Sequence, residues 1–266
     1  MVGKSYSERR QFASPAQFLG IEVKRWAKEI AELVLWIGYL QWHFRIYGNN
    51  LPVPEPVLRD YKNIECRDAV LAYDAEELVC DEETGKPVTR WDGETMKTSP
   101  VTGEQVPDER SQVPIYRYTN PRKAEWPEAD FITGNPPFLG KLRLLSMLGD
   151  CYVEALRTAY EGDVPESADF VLYWWHLAAK KVVSGRTRRF GLVTTNSITQ
   201  VFNRRVVANA LSAGCHLVFA IPDHPWVDAD SGASVRIAMT VAEAGIGAGV
   251  RYRLVTEGAT SFDGSV

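Results

Sequence analysis

The sequence predicts an α/β fold built on a mainly parallel sheet, with a hairpin lobe inserted into it. Three observations carry that expectation. Short apolar runs alternate along the chain with stretches of helical periodicity. Between about residues 75 and 118 the composition turns to Glu, Asp, Thr, Gly and Pro, with turn-forming Glu83-Thr84-Gly85-Lys86 and Val101-Thr102-Gly103-Glu104 between short alternating stretches. Three polar side chains, Glu22, Asp68 and Asn135, fall at the carboxyl ends of predicted strands, the edge where such sheets collect ligands.

Taken in order, residues 17–23 (QFLGIEV) predict a short strand. From Lys24 to about Phe44, Trp26, Ile30, Leu33, Val34, Ile37 and Leu40 recur at the spacing of one helix face. A proline-rich loop over residues 51–56 resets the chain before residues 63–71 (NIECRDAVL), a second short strand ending at Asp68. After the inserted lobe, residues 131–134 (FITG) form a compact apolar strand, and residues 146–160 and 166–184 follow as helices. Residues 190–195 (FGLVTT) predict a buried strand, residues 198–211 a helix, and residues 217–221 and 235–241 two further strands.

Composition narrows the possible functions. The chain has 266 residues, 45% of them hydrophobic, enough for one substantial core or for a domain with an inserted lobe. Apolar stretches are interrupted well short of the roughly 20 residues that cross a bilayer, and residues 1–10 lack the apolar run of a signal peptide. No membrane partner and a cytoplasmic location are therefore expected. The four cysteines and four histidines stand apart, at no metal-ligand spacing, so no metal site is expected. A net charge of −4 argues against holding nucleic acid by bulk electrostatics. Lys180, Lys181, Arg186, Arg188, Arg189, Arg204 and Arg205 nevertheless cluster; they are either phosphate contacts or solvated helix ends.

The sharpest feature is Asn135-Pro136-Pro137-Phe138, set directly after an apolar strand. An adenine N6 amine is a poor nucleophile because its lone pair is delocalised into the ring. Methylating it requires acceptors that take both amine hydrogens and favour a pyramidal nitrogen. The Asn135 side-chain oxygen and the Pro136 carbonyl are candidates for those acceptors. Each proline ring fixes φ near about −65° and biases the residue before it toward extended geometry, so the acceptors are aimed before substrate arrives. Phe138 offers a flat face for a base swung out of the duplex, a stacking contact of about 1–3 kcal/mol. The alternative is that Asn-Pro-Pro is only a strand-terminating turn.

Beyond the tetrapeptide, FITGNPPFLG (131–140), LGDCYV (148–153), ADFVLYWW (168–175), GLVTTNSI (191–198), FLGIEV (18–23) and Arg90-Trp91-Asp92-Gly93 occur in order. Together they resemble the MmeI-like class of type II restriction-modification enzymes and related adenine-specific methyltransferases, over roughly residues 17–241. The resemblance implies S-adenosylmethionine as cofactor and double-stranded DNA as partner. It also implies that Glu22 holds the ribose hydroxyls of the cofactor, as a carboxylate accepting both. Asp68 would accept from the cofactor's adenine amine, with Ala69 packed on the ring, and Asp169 and Phe170 would wall the cofactor and target pocket together with Asn135. Plain alternatives stand beside these roles: a surface glutamate, a turn aspartate, and a helix cap at Asp169. Thr195, Asn196 and Ser197 end a strand near the same pocket, and His224-Pro225-Trp226 looks like the family's late loop near the target base, or else serves packing.

Enzymes of this class usually open their sheet with a strand ending in a glycine-rich loop, and no such motif precedes Glu22. The expectation is therefore a Rossmann-like, S-adenosylmethionine-dependent methyltransferase sheet without its first strand and glycine loop. Residues 1–16 would be a leader or truncated edge and residues 17–242 the catalytic domain with residues 75–118 inserted. Residues 243–266 would be a tail leading toward an absent target recognition domain. Such a chain is expected to bind cofactor weakly and to be inactive alone, with the missing segments of a parent enzyme as partners. The expected function is adenine-N6 methylation within restriction-modification or phage defence. RNA or a protein glutamine as substrate, or a non-catalytic assembly module with an open sheet edge, are the alternatives.

Overall fold

The computed structural model of the protein describes residues 14–48, 61–93, 95–226 and 235–253. The proline-rich loop at 51–56, most of the leader and residues 254–266 of the tail lie outside the described residues. The chain divides into two units, residues 1–69 and residues 70–266.

In the first unit, strand β1 (Gly20–Glu22) pairs in parallel with β2 (Ile64–Cys66), and helix α1 (Arg25–Tyr47) lies between them in sequence. The strand is shorter than the expected residues 17–23. Ser14 and Gln17 form a reciprocal capping box around a 3-10 turn at Pro15–Gln17, which commits those residues to a helical turn. Asn63 locks the turn to the strand pair by donating to the carbonyls of Pro15 and Phe18 at 2.9 and 2.6 Å. Helix α1 buries Trp36 and His43, with Trp36 stacked on Tyr61. The apolar stripe expected to face a core does not do so among the described residues: Trp26, Ile30, Leu33, Val34 and Ile37 are all exposed. Periodicity marks an apolar face, but whether that face is covered depends on what packs there.

The second unit begins with β3 (Leu71–Ala72), antiparallel to β10 (Arg122–Lys123). Between them runs a long hairpin arm. Its rungs are β4 (Ala75–Leu78) with β9 (Tyr116–Thr119), β5 (Thr89–Trp91) with β8 (Gln112–Pro114), and β6 (Met96–Thr98) with β7 (Gln105–Pro107), all antiparallel. The turn sequences at 83–86 and 101–104 leave Gly85 and Gly103 at positive φ, which glycine adopts without strain.

The main sheet has the order β11 (Phe131–Gly134), β12 (Arg189–Thr195), β14 (Arg236–Ala244), β13 (Cys215–Pro225), β15 (Val250–Arg251). It is mixed rather than mainly parallel. β11 and β12 are parallel, as are β13 and β15, but β14 runs antiparallel to both its neighbours. The reason is connectivity: β13 ends at Pro225 and β14 starts at Arg236, a connection shorter than the dozen or so residues that a parallel crossover needs. Helices α2 (Lys141–Leu148), α3 (Asp150–Ala159), α4 (Val171–Val183) and α5 (Val201–Ser212) complete the unit. The expected helix over residues 146–160 divides in two because Gly149 takes φ +84. The helix expected from residue 198 begins at Val201, after a 3-10 turn at Asn196–Thr199.

Helix α4 is apolar around most of its circumference and forms the centre of the core. Val171, Leu172, Tyr173, Trp175, Ala178 and Val182 are all essentially inaccessible. Trp175 meets the edge of Phe190 on β12 and donates its indole N–H to Thr240 Oγ1 on β14 at 3.1 Å, so the one polar atom it buries is satisfied. Burying a large apolar side chain stabilises by roughly 1.5–3 kcal/mol, so α4 fastens the sheet strands that carry the site. No helix among the described residues is long and apolar enough to cross a membrane.

Candidate active site

In the second unit the site is assembled at the carboxyl end of β11. Gly134 ends that strand in close packing, since a Cβ there would stand 3.3 Å from a Leu192 methyl and press it aside by a few tenths of an ångström. The chain then enters Asn135-Pro136-Pro137-Phe138, where Asn135 is exposed, Pro136 is buried and Phe138 is half-buried. Among the described residues nothing hydrogen-bonds to the Asn135 side chain, and no donor reaches the Pro136 carbonyl. The next carbonyl is engaged, because Leu139 N–H donates to Pro137 O at 3.1 Å and closes the loop. Two polar acceptors are thus left open on a backbone that the prolines make stiff.

An aromatic wall stands beside these acceptors. Phe138 meets Trp226, the residue following β13, edge to face with ring centroids 6.4 Å apart. Trp226 is 44% exposed, and its backbone N–H donates to Val235 O at 3.0 Å. Behind it, Arg236 and Asn196 both donate to Asp223 Oδ1, at 2.6 and 3.2 Å. These contacts hold the Asp223 carboxyl below the usual carboxylate range, the hydrogen bond from Arg236 being the leading cause. They tie the ends of β12, β13 and β14 together.

Asp169 and Phe170 also reach the loop, though not as a bare helix cap. Phe170 N–H donates to Leu139 O at 2.9 Å, anchoring the residue directly after Phe138. The Asp169 carboxylate is occupied. It accepts from Ser197 Oγ and, at 2.8 Å, from Asn203 Nδ2, while Asn203 Oδ1 accepts from Asp169 N–H at 2.9 Å. Asn203 donates again to Ser197 O at 3.0 Å, and Thr195 hydrogen-bonds to Ser197 through their hydroxyls. Asp169 Oδ1 lies alongside Gly140, within ordinary contact of where a Cβ would stand. Asp169, Thr195 and Ser197 therefore form the scaffold behind the loop.

Asn203 is the member of this scaffold that sequence reading missed. It is 3% exposed, on the buried face of α5 next to Val206. Its spacing of three residues before Val206 was the signal available, but nothing in the sequence pairs it with Asp169.

In the first unit, Glu22 and Cys66 end β1 and β2 as direct partners in the parallel ladder. Glu22 Oε1 accepts from Lys24 N–H at 2.9 Å, fixing the carboxylate at the strand end. Asp68 and Ala69 follow β2 by two and three residues and are half-buried, with the Asp68 carbonyl accepting from Arg67 at 3.3 Å. A carboxylate held at a strand end by its own backbone, with the side chain still half accessible, has the acceptor chemistry a ribose diol needs.

The basic cluster is largely committed to protein contacts. Lys180 pairs with Asp163, Lys181 donates to Trp126 O, Arg189 pairs with Glu243, and Arg188 lies over the Phe131 ring.

The family described as "MmeI, DNA-methyltransferase domain" matches this chain over residues 3–248. A solved structure of the type IIL restriction-modification enzyme MmeI in complex with DNA is similar at 26% identity and a TM-score of 0.39, over 47% of this chain. The chain spans 17% of the length of that enzyme. No curated protein matches it.

Proposed function

The chain belongs to the MmeI DNA-methyltransferase domain family, and from that premise we propose that it methylates N6 of an adenine swung out of double-stranded DNA, with S-adenosylmethionine as methyl donor. One observation carries the choice of an amine substrate: the open Asn135 side chain and Pro136 carbonyl beside the Phe138–Trp226 aromatic pair. Bound S-adenosylmethionine would supply an electrophilic methyl group, the sulfonium S–C bond breaking as the N–C bond forms, with S-adenosylhomocysteine as the leaving product and one amine proton passing to solvent. The chain's own residues do the rest. Asn135 Oδ1 and Pro136 O accept the two amine hydrogens and pyramidalise the nitrogen, Pro137 keeps them aimed, and Phe138 stacks on the base. No covalent link between enzyme and base is needed.

For the cofactor, we assign Glu22 in the first unit to the ribose hydroxyls, Asp68 to the adenine amine and Ala69 to the ring face, and in the second unit we assign Asn135, Asp169 and Phe170 as cofactor contacts. The donor set fits that group: in the first unit Glu22 ends β1 and Asp68 and Ala69 follow the end of its parallel partner β2, and in the second unit Asn135 directly follows β11, itself parallel to β12. Restriction-modification or phage defence is the setting we assign to the activity.

The test is incubation of the natural polypeptide carrying this chain with tritiated S-adenosylmethionine and, in parallel, duplex DNA, RNA or protein. Label recovered as N6-methyladenine in DNA is expected. Loss of about 100-fold or more in rate is expected for Asn135→Ala combined with Phe138→Ala, by analogy with removal of a preorganised hydrogen-bonding group. Label confined to RNA or protein, or a double variant at the wild-type rate, would overturn the assignment.

A further inference from the structure

The segment Arg90-Trp91-Asp92-Gly93, one of the runs that carry the family resemblance, has no role assigned in the proposed reaction, yet it is firmly fastened within the hairpin arm. Asp92 Oδ1 accepts from Thr95 N–H at 2.9 Å, and Trp91 donates its indole N–H to Thr95 O at 2.8 Å. The turn is thus set by its own bonds, and against it lies the carboxyl end of α2. Arg90 Nη1 donates to Ser146 O and, folding back, to Trp91 O, both at 3.1 Å; Nη2 reaches toward Met147 O at 3.5 Å. Two glycines make the approach possible. A Cβ on Gly93 would stand 2.6 Å from Ser146 O, and one on Gly149 would stand 2.7 Å from Arg90 Nε.

Helix α2 needs such a partner. It has eight residues, no side-chain cap at its start and no basic residue in its last turn. Isolated helices of that length are marginal in water, and the negative end of the helix carries carbonyls that a guanidinium both satisfies and neutralises. The other end of α2 starts at the motif loop, where Gly140 O accepts from Arg143 and Leu144 N–H at 3.0 and 3.1 Å.

We propose that Arg90 is a positioning residue for methyl transfer, latching the arm to the far end of α2 so that the helix holds residues 135–140 in register. This rests on the methyl-transfer reading, and the arm then serves as a brace for the target-base loop. Amide hydrogen exchange on this chain and methyl transfer by the natural polypeptide test it together, with Arg90→Ala, Arg90→Lys and, as a separate control, Asn135→Ala.

In Arg90→Ala, exchange is expected to quicken about tenfold or more over residues 144–149 and stay unchanged in α4 and β12. The kcat is expected to fall about tenfold, with the affinity for S-adenosylmethionine, measured calorimetrically, within twofold of wild type. Arg90→Lys, which retains a charge but not the fork, is expected to recover part of the kcat. Unchanged exchange over residues 144–149, equal loss of protection throughout α4, or a wild-type kcat in Arg90→Ala would each overturn the latch. An Asn135→Ala variant at the wild-type rate would instead remove the methyl-transfer reading, which separates the two failures.

Discussion

Replacing Asn203 by alanine tests the scaffold behind the loop most directly. The side chain makes three well-formed bonds: it accepts from Asp169 N–H at 2.9 Å, donates to the Asp169 carboxylate at 2.8 Å, and donates to Ser197 O at 3.0 Å. A hydrogen bond to a charged group contributes about 1.5–3 kcal/mol, a neutral one about 1, and the abandoned Asp169 N–H adds a desolvation cost of similar size. Since Ser197 still donates to Asp169, we expect a net loss of about 3 kcal/mol, which for a unit of this size lowers the melting temperature by about 6–12 °C. Asn203→Asp keeps an acceptor for Asp169 N–H but sets a second carboxylate against the first, so it should be no more stable than Asn203→Ala. Denaturant unfolding followed by tryptophan fluorescence measures both. Methyl transfer assayed well below the transition should fall as well, because Phe170 N–H then holds Leu139 from a looser base. An Asn203→Ala chain melting within about 2 °C of wild type, or an aspartate variant sturdier than the alanine one, would refute the reasoning.

Stability should also depend on pH through His176. Burial pushes its imidazole down from 6.5 to about 4, and Nε2 lies 3.4 Å from Asp163 without a hydrogen bond. The unfolded chain therefore takes up the proton first, so stability is full above the ordinary value and is lost as pH falls from 6.5 toward 4, by about 3 kcal/mol at most. Asp163 adds to the loss at still lower pH. Burial raises its carboxyl, but the hydrogen bond from Lys123 and the nearby positive charges outweigh it and hold the group below 3.8. His176→Gln should flatten the profile between pH 6.5 and 4 in a series of melts, and an unchanged slope would count against this account. Trp226→Ala should weaken binding of duplex containing a mismatched, easily extruded adenine by about tenfold or more, the size of one lost stacking contact. Equal affinity in a titration would leave Trp226 with packing alone.

Much of this protein was legible residue by residue. The β11 strand, the diproline corner after it, the strand at 190–195 and the arm's turn sequences are local signals, set by apolar runs, ring-locked φ angles and glycine at turns. Candidate residues in the Asn-Pro-Pro-Phe motif could be picked out because their types in that order suit one chemistry, whereas Asp169 and Phe170 were singled out only by the family resemblance. Sequence went wrong where local preference was divided: residues 17–23 gave three to a 3-10 turn and strand entry, and one glycine split a helix.

What tertiary structure alone decided is which groups meet. The antiparallel setting of β14 followed from the path of the chain rather than from any property of its residues. The partnership of Asn203 with Asp169 joins residues 34 positions apart, and that of Arg90 with Ser146 joins residues 56 apart. The physical reason is range. Propensity and periodicity act over one or two turns of chain, whereas a hydrogen bond across the fold exists only after packing has closed the loop between its partners.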